Sequence, residues 1–185
     1  KIYQPTDTEL LFTIRSKGKN HSLLFSIHPT YARFHLTEDT FKNPKEPPKY
    51  CMVLRKHLSS SHLSDIRQYE MERIIVFTFQ TRNEIGDEST KQLVLELMGK
   101  HSNIMLIDPD NDNIIDSMKH IPPSQNRHRT ILPGQQYKLP PDQGKWNVLE
   151  LSAEDFIKKL DFNAGKLDQQ IMRTLDGFSP VIAKE

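Results

Sequence analysis

A single cysteine, Cys51, stands in the 185 residues. No internal disulfide can therefore staple the chain, and the composition fits a reducing compartment. Cys51 lies in an amphipathic segment, where a lone thiol behaves as a small buried hydrophobe. No run approaches the ~18 consecutive apolar residues of a membrane helix, and no secretory signal is visible. An excess of one charge is also missing: 25 Lys and Arg against 24 Asp and Glu leave +1. That balance argues against a bulk polybasic nucleic-acid binder but leaves room for a local basic face. Catalytic signatures are absent too, with no Gly-x-Ser-x-Gly, no P-loop and no Gly-x-Gly-x-x-Gly. The eight histidines form no His-Glu-x-x-His, and one cysteine cannot build a Cys-rich zinc site. Asp108–Asp112 resembles the start of a calcium loop, but its sixth and twelfth positions are Asn113 and Lys119 instead of Gly and Glu. No stand-alone enzyme, metal or cofactor is expected.

What remains is 36% hydrophobic and 26% charged, which suits a soluble domain with a modest core, or one domain and part of a second. The chain opens at Lys1 without Met and closes inside helical patterning at Ala183–Glu185, so it reads as a piece of a longer protein. Period-two alternation at Leu10, Phe12 and Ile14, at Leu23, Phe25 and Ile27, and at Ala32, Phe34 and Leu36 marks half-buried strands. Residues 37–48 hold three prolines and read as a surface connection. Tyr50, Val53, Leu54, His57 and Leu58 then fall on one helix face, with Arg55 and Lys56 projecting elsewhere. Strands resume at Asp65–Tyr69 and Arg73–Gln80. The latter is apolar on both faces, which predicts an interior strand. Further strands surround Glu96–Asn103, and Asn113–His120 closes the series. From Ser152 the pattern turns helical, with Asp155 completing a helix-start signature. The expected architecture is α+β: a mostly antiparallel sandwich at residues 1–140, then a small helical hairpin module at 150–185.

Three features carry candidate chemistry. Gly99-Lys-His-Ser-Asn103 is a donor-rich loop that either binds or is simply a solvated turn. Glu72-Arg73 opens a strand, where an acid-base pair is ordinarily a surface ion pair of little consequence. Leu175–Ala183 has Gly177 at a tight turn, Phe178 as anchor and Pro180 ahead of further helix. It resembles a helix-hairpin-helix, whose exposed N–H groups suit a phosphate; Ser179 stands where many such hairpins have glycine. The competing reading is a plain helix C-cap.

Together these residues resemble the N-terminal part of the NFACT family, which includes the bacterial RqcH (fibronectin-binding protein A) group and eukaryotic ribosome-quality-control relatives. The resemblance lies in Cys51–Leu58, Arg82–Asp87, Glu96–Asn103, Arg129–Gly134 with Tyr137, and the hairpin at 175–183. These blocks cover essentially the whole chain, in order, with Gram-positive-like phrasing. The resemblance implies a fold like the N-terminal domain of formamidopyrimidine-type DNA glycosylases, without their chemistry, since their catalytic N-terminal proline has no counterpart here. It also implies that an opening helical segment, a coiled coil and a C-terminal NFACT-R domain lie outside this chain.

The implied function is a cytoplasmic, ribosome-associated one. The family binds large ribosomal subunits obstructed by peptidyl-tRNA, recruits alanine-accepting tRNA and promotes untemplated alanine addition to the stalled chain. An Asp-Arg pair supports its tRNA engagement, and the matching positions are Glu72 and Arg73, so the acid departs from the pattern by one methylene. Chemistry and position add Arg55, Lys56, Lys100, His101 and Asn103 as candidate RNA contacts, with Gly177 and Ser179 for a hairpin phosphate. The alternative is an adhesin at the cell surface that takes fibronectin or fibrinogen on an exposed strand edge; the missing export signal and single cysteine count against it.

Overall fold

The computed structural model describes residues 1–185, which divide into two compact units. The first comprises Lys1–Arg67 and Ile74–Lys138. It opens with a four-stranded antiparallel meander: β1 (Ile2–Thr6), β2 (Glu9–Ser16), β3 (Lys19–Ser26) and β4 (Arg33–Thr37). Helix α1 (Lys49–Leu58) follows, then a five-stranded sheet of β5 (His62–Gln68), β6 (Ile74–Arg82), β7 (Glu88–Glu96), β8 (Asn103–Asp108) and β9 (Asn113–Ser117), neighbours in chain order throughout. Alternate residues of both sheets meet in one core, closed by Tyr50, Cys51, Leu54 and Leu58 of α1. Edge-to-face rings join the sheets: Phe25 meets Phe77 at 5.1 Å and 76°, and Phe34 meets Phe77 at 5.5 Å and 89°. Each such pair contributes about 0.5–1.5 kcal/mol beyond area burial.

Strand β6 is interior, as its two apolar faces predict. Ile75, Phe77 and Phe79 enter the shared core, while Ile74 and Val76 pack in a second cluster with Val94, Met105, Ile107 and Ile114. That second cluster is roofed by Ile121, Ile131 and Tyr137, all from the stretch after β9 that has little regular structure. Strand β1 escaped sequence reading because it contains Pro5. It pairs only with β2, and an edge strand tolerates a residue that cannot donate on its open side.

The second unit comprises Gln68–Arg73 and Leu139–Glu185. Thus the turn between β5 and β6 belongs with the C-terminal residues, a grouping no local pattern announces. Helix α2 (Ala153–Lys158) begins where expected, with Ser152 Oγ accepting the Asp155 N–H at 3.1 Å. Helix α3 (Leu167–Thr174) follows. Trp146 donates its N–H to Thr174 at 2.8 Å and accepts from Asp176 at 3.0 Å, a short parallel bridge that buries Leu175. After α3 the structure has one 3-10 turn, Ile182–Lys184, in place of the expected second hairpin helix. No helix of the chain is long and apolar enough to cross a membrane.

The roof over the five-stranded sheet is tied down by the stretch Glu96–Asn103. Glu96 is fully buried, and its carboxylate accepts from both terminal nitrogens of Arg129, the Nη1 bond measuring 2.8 Å, and from Tyr137 Oη at 2.8 Å. Arg129 Nη1 also reaches the Lys138 carbonyl at 2.8 Å. Opposite Glu96 in the β7–β8 register, Asn103 grips the start of the roof: its Nδ2 donates to the Lys119 carbonyl and its Oδ1 accepts the Lys119 N–H, both at 2.9 Å. Ser102 Oγ accepts the Met98 N–H at 2.8 Å and closes the loop between them. Arg129→Ala would leave a buried carboxylate unpaired, a loss of about 3–5 kcal/mol. A large drop in the urea midpoint is expected, partly recovered in Arg129→Ala with Glu96→Gln, where the buried charge is gone; a shift under about 0.5 kcal/mol would contradict this account.

Candidate nucleic-acid interface

Glu72 and Arg73 sit on the turn that joins β5 to β6. Glu70 takes a positive φ of 46°, Glu72 donates its N–H to Tyr69 at 3.0 Å, and Gln68 Nε2 donates to the Glu72 carbonyl at 2.8 Å. The two side chains do not pair with each other, and Arg73 is exposed without a salt bridge. A mutual surface ion pair, the bland reading of this dipeptide, is therefore not what the structure contains. Glu72 is half-buried, and burial pushes its carboxyl above the usual glutamate range, with nearby Asp176 adding to the effect and Lys145 opposing it.

What holds this turn is the hairpin segment of the same unit. Gly177 has φ +78°, and a Cβ there would stand 3.2 Å from Met71 Cε and 3.3 Å from the Met71 carbonyl oxygen. The space that a side chain at this position would need is taken by Met71. Ser179 is likewise engaged locally: its Oγ accepts the Ile182 N–H at 3.3 Å and its carbonyl accepts from Ala183 at 2.9 Å. Gly177 thus braces the Glu72–Arg73 turn, and Ser179 stabilises the following 3-10 turn. Met71, Asp176 and Lys145 were missed as neighbours, because nothing local in the sequence links them to Glu72.

The other candidates lie in the first unit and divide by exposure. Arg55 Nε donates to the Ile2 carbonyl at 2.8 Å, and its guanidinium lies over the Tyr3 ring at 5.4 Å, so it ties α1 to β1. Lys56 is exposed and pairs with Glu84 at 3.0 Å. Lys100 and His101 are exposed on a 3-10 turn at Gly99–His101. Asn103, expected among the contacts, is instead 2% exposed with its amide spent on backbone partners. It has no surface to offer a ligand.

Gly177→Ala should cost the second unit about 1 kcal/mol or more, since it forces an L side chain into a left-handed conformation against Met71; faster amide exchange across 139–185, with the β-sheets unchanged, is the expected readout. Glu72 gives a pH dependence. Its raised folded value means that the folded unit holds a proton already lost by the unfolded chain. Stability is then full below the ordinary glutamate range and declines as pH rises through the raised value. Glu72→Gln should flatten that slope and slow exchange in residues 139–185 at neutral pH.

Residues 1–185 match the NFACT N-terminal and middle domains. The Rqc2 homolog RqcH of Bacillus subtilis (strain 168) is 49% identical over 185 residues, which is 100% of this chain and 32% of that protein. Among solved structures, the N-terminal domain of the fibronectin-binding protein PavA from Streptococcus pneumoniae superposes with a TM-score of 0.89 at 38% identity, over 99% of this chain and 68% of that one. The N-terminal part of the fibronectin/fibrinogen-binding protein from Streptococcus suis gives a TM-score of 0.91 at 38% identity, over 100% of this chain and 69% of that one. The chain spans about a third of the length of the Bacillus relative. Matched from first residue to last by the family's N-terminal and middle domains, the chain belongs to the NFACT family.

Proposed function

We propose that this chain is the tRNA- and large-subunit-binding part of a ribosome quality control factor, a binding module with no chemistry of its own. In this reading the whole protein brings alanine-accepting tRNA to an obstructed large subunit and promotes untemplated alanine addition to the stalled chain. The observation that carries the reading is Arg73. It is exposed, free of an acidic partner, and presented on a turn braced by Met71 against Gly177. A free guanidinium forms charge-assisted, bidentate bonds to phosphate or to an unpaired base edge, which a lysine cannot reproduce. Glu72 supports it from a half-buried position, where burial, with a smaller push from Asp176, holds its carboxyl above the usual glutamate range. The relative named as an Rqc2 homolog supports the ribosomal setting.

A second reading rests on the solved relatives, which are named for binding fibronectin or fibrinogen. In this chain such a partner would add a strand at an open edge, and β4 offers one.

The two separate on Arg73. A charge-assisted contact contributes about 1.5–3 kcal/mol, so Arg73→Ala should weaken tRNA binding by roughly ten- to a hundredfold, and Arg73→Lys should restore only part of it. The dependence of log affinity on log salt should also become shallower by about one. Binding to tRNA that is unchanged in Arg73→Ala would discard the assignment, and fibrinogen binding measured on the same variants reports the second reading independently.

A further inference from the structure

Two loops of the first unit, one from each sheet, touch at Gly99. A Cβ on Gly99, which has φ +55°, would lie 3.6 Å from the Pro29 carbonyl oxygen, so the β3–β4 loop and the Gly99–His101 turn are in close approach. On the β3–β4 loop the rings of His28 and Tyr31 stack at 5.1 Å with 24° between their planes. His28 is fixed by its Nδ1, which accepts the Thr30 N–H at 3.2 Å, and Tyr31 by its carbonyl, which accepts from Arg33 Nη1 at 2.9 Å. Tyr31 is nevertheless 65% exposed. A stacked, anchored ring that faces solvent offers a pre-set π-face on which a base can stack.

The neighbourhood is rich in cations; its acids are Asp7 and Glu9 on the β1–β2 turn, where the Thr8 carbonyl accepts the Ile27 N–H at 2.8 Å and Glu9 stands opposite Ser26 in the register. Lys119 Nζ donates to the Lys100 carbonyl at 3.4 Å, which places a third segment beside the turn. The three segments, 27–37, 97–107 and 117–127, contain no Asp or Glu. The nearest buried carboxylates of this end are occupied, Glu96 by Arg129 and Asp116 by His120 at 2.8 Å. Exposed aromatic rings interleaved with cations suit a nucleic acid whose bases are unpaired. The ring stacks on a base while the cations follow the backbone.

We infer that the first unit carries its own single-stranded RNA site: a platform of His28 and Tyr31 on which an unpaired base stacks, with Arg33, Lys100, His101 and Lys119 along the phosphates. This deepens the RNA-binding reading above and rests on it, but it uses residues distinct from Arg73.

The test is fluorescence anisotropy of this chain with a labelled single-stranded oligouridylate of about 12 nucleotides and a duplex RNA of equal length, across a salt series. Tyr31→Ala should weaken single-strand binding about 5- to 100-fold, Tyr31→Phe should stay within about twofold because it keeps the ring, and duplex binding should move little. Lys100→Ala with Lys119→Ala should make the salt dependence shallower by about 1.4, as two single-strand phosphate contacts require. Single-strand binding unchanged in Tyr31→Ala, while Arg73→Ala loses tRNA, would overturn the platform and leave the tRNA reading standing. Binding to neither the single strand nor tRNA would overturn both. Loss of fibrinogen binding in Tyr31→Ala with RNA binding intact would assign the ring to a protein partner and overturn the RNA site.

Discussion

The carboxylate of Glu96, held by Arg129 and Tyr137 with no access to water, is the constraint on which the first unit depends. The five-stranded sheet is apolar on both faces, and only one face meets the other sheet. The second face must be covered by a segment that has almost no regular structure to place it. Its backbone bonds are local to two places: Ile121 with Ile131 in both directions at 2.9 Å, and a join to the end of the sheet, where Ile114 donates to Gln135 and accepts from Gly134 at 2.8 Å and Tyr137 donates to Asp112 at 2.7 Å. Apolar contacts alone would cover the face but would tolerate sliding, because they have no direction. A buried carboxylate with several directed donors does not tolerate it: a displaced roof would leave a charge unpaired. Burial pushes the Tyr137 phenol far above its ordinary range, with Glu96 adding to the effect, so the phenol stays a neutral donor. The ion pair therefore contributes placement more than net stability.

The second unit is organised by a different means. Its helices are short, and Leu149, Phe162 and Val181 stand more than two-thirds exposed. Few apolar contacts imply that it opens locally at lower cost than the sheets. Within it, the Glu72–Arg73 turn is fixed by close backbone approach, Met71 against Gly177, a device that needs no large core. Steric exclusion of a Cβ is a sharp constraint, and it aims Arg73 without spending any of its hydrogen bonds on the protein.

Sequence patterning reached the sheets because alternation is a local signal. Phe77 and Phe79 on one face and Ile74 and Val76 on the other predict an interior strand, and β6 is one. It reached α1 through the spacing of Tyr50, Leu54 and Leu58, and α2 through the Ser152 cap. It did not reach what long-range contact decides. No periodicity ties Arg129 to Glu96, or Met71 to Gly177, since those pairings exist only after the chain has folded. After Pro180 the local pattern predicts helix, and the residues present form a 3-10 turn at Ile182–Lys184, with Ser179 Oγ accepting the Ile182 N–H at 3.3 Å. Asn103 looked like a loop donor because its polarity is visible and its burial is not.

Inward and outward residues of the Glu96–Asn103 stretch thus separate on physical grounds. Glu96, Ser102 and Asn103 are turned inward, and their polar atoms are satisfied by the chain itself. Their exacting chemistry comes from burial, where any unpaired donor or acceptor is costly. Between them the same loop presents Lys100 and His101 outward, where a solvated side chain meets few such demands. Inner residues of the loop hold a frame so that outer residues, and the Tyr31 ring beside them, are set at fixed spacing. A motif can therefore identify a fold through residues that never touch a ligand, while the neighbours that can touch one are legible only from exposure, charge and the lack of internal partners.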